Sequence, residues 1–406
     1  MSLVTIPRLL FCSYHCLLDA TSGAAQATRD LLEMLVVRGW DCRVLCGPMR
    51  DGDQSSLADM LAAQGLTVER RDLPIADAPF SLLHCRPGGV PTAVFAPKES
   101  STHTADRNLH ATFLALLDRL LVTWRPDLLL TYGGDEIARW IIDRAADRDT
   151  PVVFALHNFS YHDAALFRGV NAVLVPSQFC RRHYRQVLNL ECVAIPSPIN
   201  RDRCLCTEST DRKFVTFVNP QPHKGVFVFA RIAAELGRRR PDIPLLVVES
   251  RGRASWLDRT GLDLRKHPNL HVMANTSDPR EIYRVSKTVL MPSLWNESFG
   301  RVAAEAMLNG IPTLASNRGA LPEVVADGGF LLDVPKRYTP ETRVAPAASE
   351  VEPWLRTIER LCDEPSFYAE ASRRAAAASQ RWRPEIIAAE HDAFFRGLLG
   401  RGHELK

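Results

Sequence analysis

Three stretches near the start of the chain, "RLLFCSY" (8–14), "AQATRDLLEMLVVRG" (25–39) and "CRVLCG" (42–47), decide the fold by their order. The first is a short apolar run of the kind that fills a strand buried on both faces. The second spaces its apolar residues at a helical period and stops at Gly39. The third is again a short apolar run. Strand, helix and strand in this order make a crossover between parallel neighbours, because a tight hairpin cannot join parallel strands. The rhythm then repeats. "TVERRDL" reads as a strand, "HATFLALLDRLLVTW" as a helix, "DLLLTYG" as a strand, "EIARWIIDRAAD" as a helix, and "PVVFALH" and "AVLVPS" as strands. Such alternation predicts an α/β architecture with a doubly wound parallel sheet.

The segment "AIPSPINRDRCLCTESTDR" (194–212) interrupts the rhythm with prolines, polar residues and no periodicity, and reads as an interdomain linker. A second α/β series follows: "KFVTFVN", the helix "GVFVFARIAAELGRR", then strands in "PLLVVES", "LHVMA", "TVLMPS" and "PTLAS". With 406 residues the chain is too long for one ordinary core. The boundaries read as an N-terminal domain over 1–200, a C-terminal domain over 207–383, and a final helix over 384–406 set off by Pro384.

A net charge of +3 is too small to indicate a nucleic-acid binder. Basic runs such as Arg181-Arg182-His183-Tyr184-Arg185 read as solvated helix faces, and leave room for a peripheral membrane contact. No apolar run approaches the ~20 residues of a membrane span. The ten cysteines include no CxxC pair and mostly lie in apolar runs, so a reduced, cytoplasmic setting is expected, with no metal site. The N-terminus lacks the charged region and cleavage site of a secretory leader.

Open α/β sheets bind ligands at the carboxyl ends of their strands. Three loops of the second series qualify: "NPQPHKG" (219–225), "LWNESFG" (294–300) and "SNRGALPE" (316–323). Lys224 is placed for an anion. Ser298, Phe299 and Gly300 open a helix whose N–H groups suit phosphate. There is no Walker loop and no GxGxxG, which argues against ATP and nicotinamide cofactors. These residues predict a nucleoside diphosphate between Lys224 and the helix start. Glu305 would then hold the ribose hydroxyls, and Glu297 a group attached to the phosphates. The competing reading of Glu297 is a helix cap.

At this point the residues resemble a known family, the retaining glycosyltransferases of family 4, also described as glycosyl transferases group 1. "ESFGRVAAE" (297–305) has its E-x7-E motif, "NPQPHKGV" its phosphate loop and "NRGALPEVVADGGFLL" its third donor segment. "SGAAQATRDLLEMLVVRGWDCRVL" is similar to its N-terminal glycine loop and helix, and "AIPSPIN" to its linker. The resemblance implies the GT-B fold, two Rossmann-like domains facing across a cleft. The donor would lie in the C-terminal domain and the acceptor mostly against the N-terminal one, and the last helix would cross back to the N-terminal domain. It implies a nucleotide-sugar donor, UDP- and GDP-sugars being expected first, no cofactor, and a glycan, lipid or small-molecule acceptor. Catalytic roles fall on Glu297, Lys224 and His157, and donor contacts on Gly23, Asn219, Lys224, Ser298, Phe299, Gly300 and Glu305. A lone histidine after a buried strand, such as His157, otherwise reads as structural. Asn158 and His162 are further acceptor-side candidates.

Two departures stand out. Asn219 occupies the place, five residues before the lysine, where many members have arginine, so that cation is absent or replaced by Arg301 or Arg251. The usual Gly-Gly is Gly23-Ala24 here. The reaction implied is metal-independent transfer of a sugar to an acceptor hydroxyl with retention. A nucleotide-sugar epimerase of the same fold, or a catalytically inactive nucleotide-sugar-binding protein, stand as alternatives.

Overall fold

The computed structural model describes residues 6–52, 56–73, 80–97, 107–207 and 211–404. The chain divides into two compact units. The first comprises residues 1–176, 180–198 and 384–406, and the second residues 177–179 and 199–383.

Among the described residues, the first unit is built on nine strands. They are β1 (Arg8–His15), β2 (Asp41–Met49), β3 (Glu69–Leu73), β4 (Phe80–Cys85), β5 (Thr92–Pro97), β6 (Leu128–Thr131), β7 (Val152–Ala155), β8 (Ala172–Val175) and β9 (Val193–Ala194). Their order is β3-β4-β5-β2-β1-β6-β7-β8-β9. The sheet is parallel except at one edge, where β4 runs antiparallel to both β3 and β5. The doubly wound parallel sheet expected from the sequence thus carries one antiparallel strand near its edge. Leu9–Phe11 of β1 and Leu128–Leu130 of β6 are fully buried, as the unbroken apolar runs require for a sheet covered on both faces.

The C-terminal helix Pro384–Glu404 belongs to this unit. Phe395 is fully buried in the same core cluster as Trp40, and the two rings meet edge-on at 6.0 Å. Beside them Asp392 accepts hydrogen bonds from the Trp40 indole at 2.7 Å, Arg38 at 3.1 Å and Arg396 at 2.7 Å.

Among the described residues, the second unit has six parallel strands: β10 (Phe214–Val218), β11 (Leu245–Val248), β12 (Leu270–Met273), β13 (Ser286–Met291), β14 (Thr313–Ser316) and β15 (Phe330–Leu332). They are arranged β12-β11-β10-β13-β14-β15. Numbered within the unit, this is the 3-2-1-4-5-6 order of the Rossmann sheet, with its reversal between β10 and β13. In the first unit the corresponding reversal lies between β1 and β6. Helix Val226–Arg239 covers β10, and Phe217 stacks on Phe229 with ring centroids 4.7 Å apart. In the segment after β15, Tyr338 and Val351 are buried. No described helix is long and apolar enough to cross a membrane.

Candidate functional site

The reversal of strand order in the second unit opens a crevice at the carboxyl ends of β10 and β13. The loop after β10 carries Asn219 to Gly225, and the loop after β13 carries Pro292 to Gly300. Their close approach depends on glycine. Gly225 has φ 88°, and a Cβ there would lie 1.9 Å from the Pro292 carbonyl oxygen. Gly319, at φ 62° in the loop after β14, sits against the backbone of Glu297, where a Cβ would lie 2.2 Å from its nitrogen. All three candidate loops therefore converge on one place.

Lys224 and Glu297 meet there. The lysine Nζ donates to both carboxylate oxygens, at 2.8 and 3.0 Å, and Ser293 donates to Oε1 at 2.7 Å. The Glu297 side chain is 7% exposed and that of Lys224 19%. Burial alone would raise the Glu297 carboxyl. The adjacent Lys224 ammonium and the hydrogen bonds from Lys224 and Ser293 outweigh it and hold the group below the ordinary glutamate value. The Trp295 ring lies under the ammonium, 4.7 Å from Nζ to centroid. Glu297 does not cap the following helix. Arg301–Leu308 has Gly300 as its N-cap and no side-chain cap bond. The helix start instead keeps its backbone donors clear of any side chain of its own N-cap.

Positive charge concentrates around the first loop. Burial, then Lys224, and further Arg251 and Arg343, push the His223 imidazole down to about 4 against the opposing pull of Glu297. His223 is thus neutral in ordinary buffers. Asn219, at φ 64°, supplies no cation. Its Oδ1 accepts from the Gly252 N–H at 2.7 Å, which ties down the turn that carries Arg251. Arg301 lies along Glu305, with Nε and Nη2 at 3.1 and 3.0 Å from Oε1. The other Glu305 oxygen accepts from the Tyr283 hydroxyl at 2.8 Å. Burial, followed by the Glu305 charge, raises the Tyr283 phenol well above its usual range, so it remains a donor. Ser298 is half-buried, while Phe299 and Gly300 are buried.

Sequence reasoning missed Ser293, Trp295 and Tyr283. Ser293 and Trp295 lie four and two residues before Glu297 and could have been suspected. Tyr283 comes from the helix before β13, 22 residues from Glu305, and nothing in the local pattern marks it.

In the first unit His157 follows β7. Its Nε2 is 3.3 Å from Thr28 Oγ1 on helix Gly23–Val37, and its ring meets Tyr132 edge-on at 5.5 Å. Gly23 is the first residue of that helix, and a Cβ there would touch nothing. At the ends of β6 and β7 a cavity of about 410 Å³ is lined by Asp135, Glu136, Ser160, Tyr161, His162 and Asp163, among others. Arg139 also lines it. It bonds to the carbonyls of Ala165, Leu166 and Arg168 and to Asp143, which fixes the turn 164–167. Asn158 Oδ1 accepts from the Ser160 N–H at 3.0 Å, so it orders the loop leading there.

Part of the second unit is similar to a known family. Residues 207–375 match the family model "Glycosyl transferases group 1". The group 1 segment contains Lys224, Glu297 and Glu305. Among curated relatives, D-inositol 3-phosphate glycosyltransferase of Rhodococcus opacus is 32% identical over 239 residues, covering 54% of this chain and 49% of its own length. The same enzyme of Corynebacterium aurimucosum is 33% identical over 161 residues, covering 37% and 35%. The chain thus spans about half, or less, of the length of these relatives. Solved structures resemble it along nearly its whole length. Anabaena Alr3699/HepE in complex with UDP and glucose superposes with a TM-score of 0.68 at 17% identity, covering 96% of this chain and all of that one. A glycosyltransferase from Rickettsia africae gives 0.68 at 13% identity, covering 97% and 99%. At such identities the likeness is one of fold, that of the GT-B glycosyltransferases.

Proposed function

We propose that the protein is a retaining, metal-independent glycosyltransferase that moves a sugar from a nucleoside diphosphate sugar to an acceptor hydroxyl. The observation that carries this reading is the Lys224–Glu297 pair, held at the strand-order reversal of a segment similar to group 1 and next to the start of helix Arg301–Leu308, whose N-cap is Gly300. A diphosphate entering there competes with Glu297 for the lysine. Lys224 turns to the phosphates, and Glu297 is released toward the hydroxyls of the attached sugar. Glu305, oriented by Tyr283 and Arg301, receives the ribose.

In the reaction the bond from the anomeric carbon to the diphosphate oxygen breaks, and its electron pair stays on the leaving oxygen. Lys224 and the N–H groups at the helix start stabilise that growing charge. The acceptor oxygen bonds to the same face of the anomeric carbon, and its proton passes to the leaving phosphate. His157 is the first unit's proposed contribution to the reaction. The cavity of about 410 Å³ beside the ends of β6 and β7 is within the size range of small-molecule sites, and its hydroxyl and carboxylate lining suits a polyhydroxylated acceptor. The names of the curated relatives support sugar transfer. Their acceptor is not carried over.

A thermal-shift series with UDP-, GDP-, ADP- and TDP-sugars tests the donor half, because a bound ligand raises apparent stability by mass action. One nucleotide series should raise the melting temperature. With that donor and an acceptor panel in EDTA, release of the nucleoside diphosphate should depend on acceptor, and NMR of the product should show the donor's anomeric configuration. Binding without acceptor-dependent turnover, or an inverted product, would overturn the proposal.

A further inference from the structure

Both glutamates of the site are held by a cation. Lys224 holds Glu297, and Arg301 holds Glu305 one turn further along helix Arg301–Leu308. The second pair is largely buried, the side chains of Arg301 and Glu305 being 15% and 7% exposed. Two nitrogens of the guanidinium, Nε and Nη2, approach the same oxygen, Oε1, at 3.1 and 3.0 Å, and the Tyr283 hydroxyl donates to Oε2 at 2.8 Å. A carboxylate offers about four lone-pair positions. Arg301 covers those of Oε1 and Tyr283 takes one of Oε2, which leaves at most one. The neighbouring hydroxyls of a ribose need two. Glu305 therefore cannot receive both while Arg301 stays in place.

The position of Arg301 shows where it can go. It is the first residue of its helix, directly after the N-cap Gly300, with no side-chain cap and no acidic residue in the first turn. A helix start favours anions over cations, so the guanidinium stands at the unfavourable end and Glu305 compensates it. Cα–Cβ bonds in a helix tilt toward its N-terminus. Rotation about side-chain bonds alone thus turns the guanidinium from Glu305 to the helix start, where the diphosphate is proposed to lie. A planar guanidinium suits phosphate oxygens as well as it suits a carboxylate.

We propose that Arg301 is a diphosphate-operated latch on the ribose site: it holds Glu305 until a diphosphate at the helix start draws it off, and so opens Glu305 to the ribose hydroxyls. This role rests on the donor site of the glycosyltransferase reading and adds to it a coupling between the two halves of the ligand. Tyr283 stays on Oε2 and keeps the carboxylate in place. A nucleoside alone has to displace the guanidinium without offering it another anion. A nucleoside diphosphate brings that anion with it. The coupling is reciprocal by thermodynamic linkage, so a phosphate anion and a nucleoside that are not joined should favour each other's binding.

Unjoined ligands test this in the wild-type protein. Calorimetry measures the affinities of uridine, guanosine and adenosine, with and without saturating inorganic pyrophosphate, and those of UDP, GDP and ADP. For the base that binds, pyrophosphate should tighten the nucleoside about fivefold or more. Arg301→Met keeps most of the side chain's bulk and removes its charge. In this variant nucleoside affinity should rise about threefold or more, because the latch no longer has to be opened. Nucleoside diphosphate affinity should instead fall about fivefold, the lost phosphate contact outweighing that relief, and pyrophosphate should no longer help. A guanidinium that only orients Glu305, or only packs, would make both affinities fall together. That outcome, or a wild-type nucleoside affinity indifferent to pyrophosphate, would overturn the latch and leave the donor site standing. Unchanged nucleoside affinity in Glu305→Ala, or no binding of any of the three nucleoside diphosphates, would remove the donor site and the latch with it. The wild-type measurement decides even if Arg301→Met does not fold.

Discussion

Replacing Glu297 by glutamine isolates the Lys224–Glu297 pair. In the structure the carboxylate receives two bonds from Lys224 Nζ, at 2.8 and 3.0 Å, and one from Ser293 at 2.7 Å. A glutamine oxygen can keep the Ser293 bond and one lysine bond. The other oxygen becomes an NH2 group that points a donor at a donor. One charge-assisted bond is lost, worth roughly 1.5–3 kcal/mol, and the lysine keeps no counter-ion. Complete loss of a buried partner would cost about 3–5 kcal/mol, which sets the ceiling. A destabilisation of about 2 kcal/mol should lower the melting temperature of a unit this size by roughly 4–8 °C. Lys224 is then released from its competitor, so affinity for free nucleoside diphosphate should hold or rise. Turnover should still fall by roughly a hundredfold, as for loss of one preorganised electrostatic contact. Calorimetry, thermal melts and initial rates on the one variant separate these effects. Unchanged melting together with wild-type rate would show that the pair contributes neither to the fold nor to the reaction.

Lys224→Ala should reduce kcat more than nucleotide affinity, because charge on the leaving group grows in the transition state; equal losses for nucleoside and nucleoside diphosphate binding would refute a phosphate contact. Glu305→Ala should weaken nucleoside diphosphate binding by about tenfold or more, read by calorimetry, since it removes hydrogen bonds to a charged group. His391 makes a pH prediction. Its pKa lies at about 4 when folded, below the ordinary histidine value of 6.5, so below neutrality the unfolded chain takes up a proton that the folded one refuses. Stability should therefore fall as pH drops from about 6.5 to 4, by roughly 3 kcal/mol from this group, and His391→Leu should flatten that part of the profile in denaturant titrations.

The α/β class was legible because β1, β2, β6, β7, β10, β11 and β13 are built around short apolar runs separated by periodic helices. Such runs have few other uses in a chain of this composition. β4 and β5 escaped notice for physical reasons. β5 ends in proline, and the pair turns through "RPGG", so the flanking residues look like loop. Antiparallel pairing at a sheet edge also needs no helix between strands, and the strand–helix alternation is silent there. At the candidate site the loops could be named from their places at strand ends. The bond between Lys224 and Glu297 could not, because 73 residues separate them and only the strand order brings them together. The arginine-to-asparagine change at 219 read as a lost contact. The structure gives that side chain work of its own, pinning Gly252.

The first unit is interrupted. Its chain leaves at residue 198 and returns at 384, with nearly all of the second unit in between. During synthesis, at roughly 5–20 residues per second, Trp40 emerges long before its partners Asp392 and Phe395, by an interval on the order of ten to forty seconds for the intervening segment alone. Throughout it the face of helix Gly23–Val37 that will meet the last helix stays uncovered. The unit begun first is thus finished last, and the continuous stretch 199–383 has every contact within reach before the N-terminal sheet is sealed. A premature stop after residue 383 would leave the late-made unit whole and spoil the early one, at a distance of more than three hundred residues along the chain from Trp40.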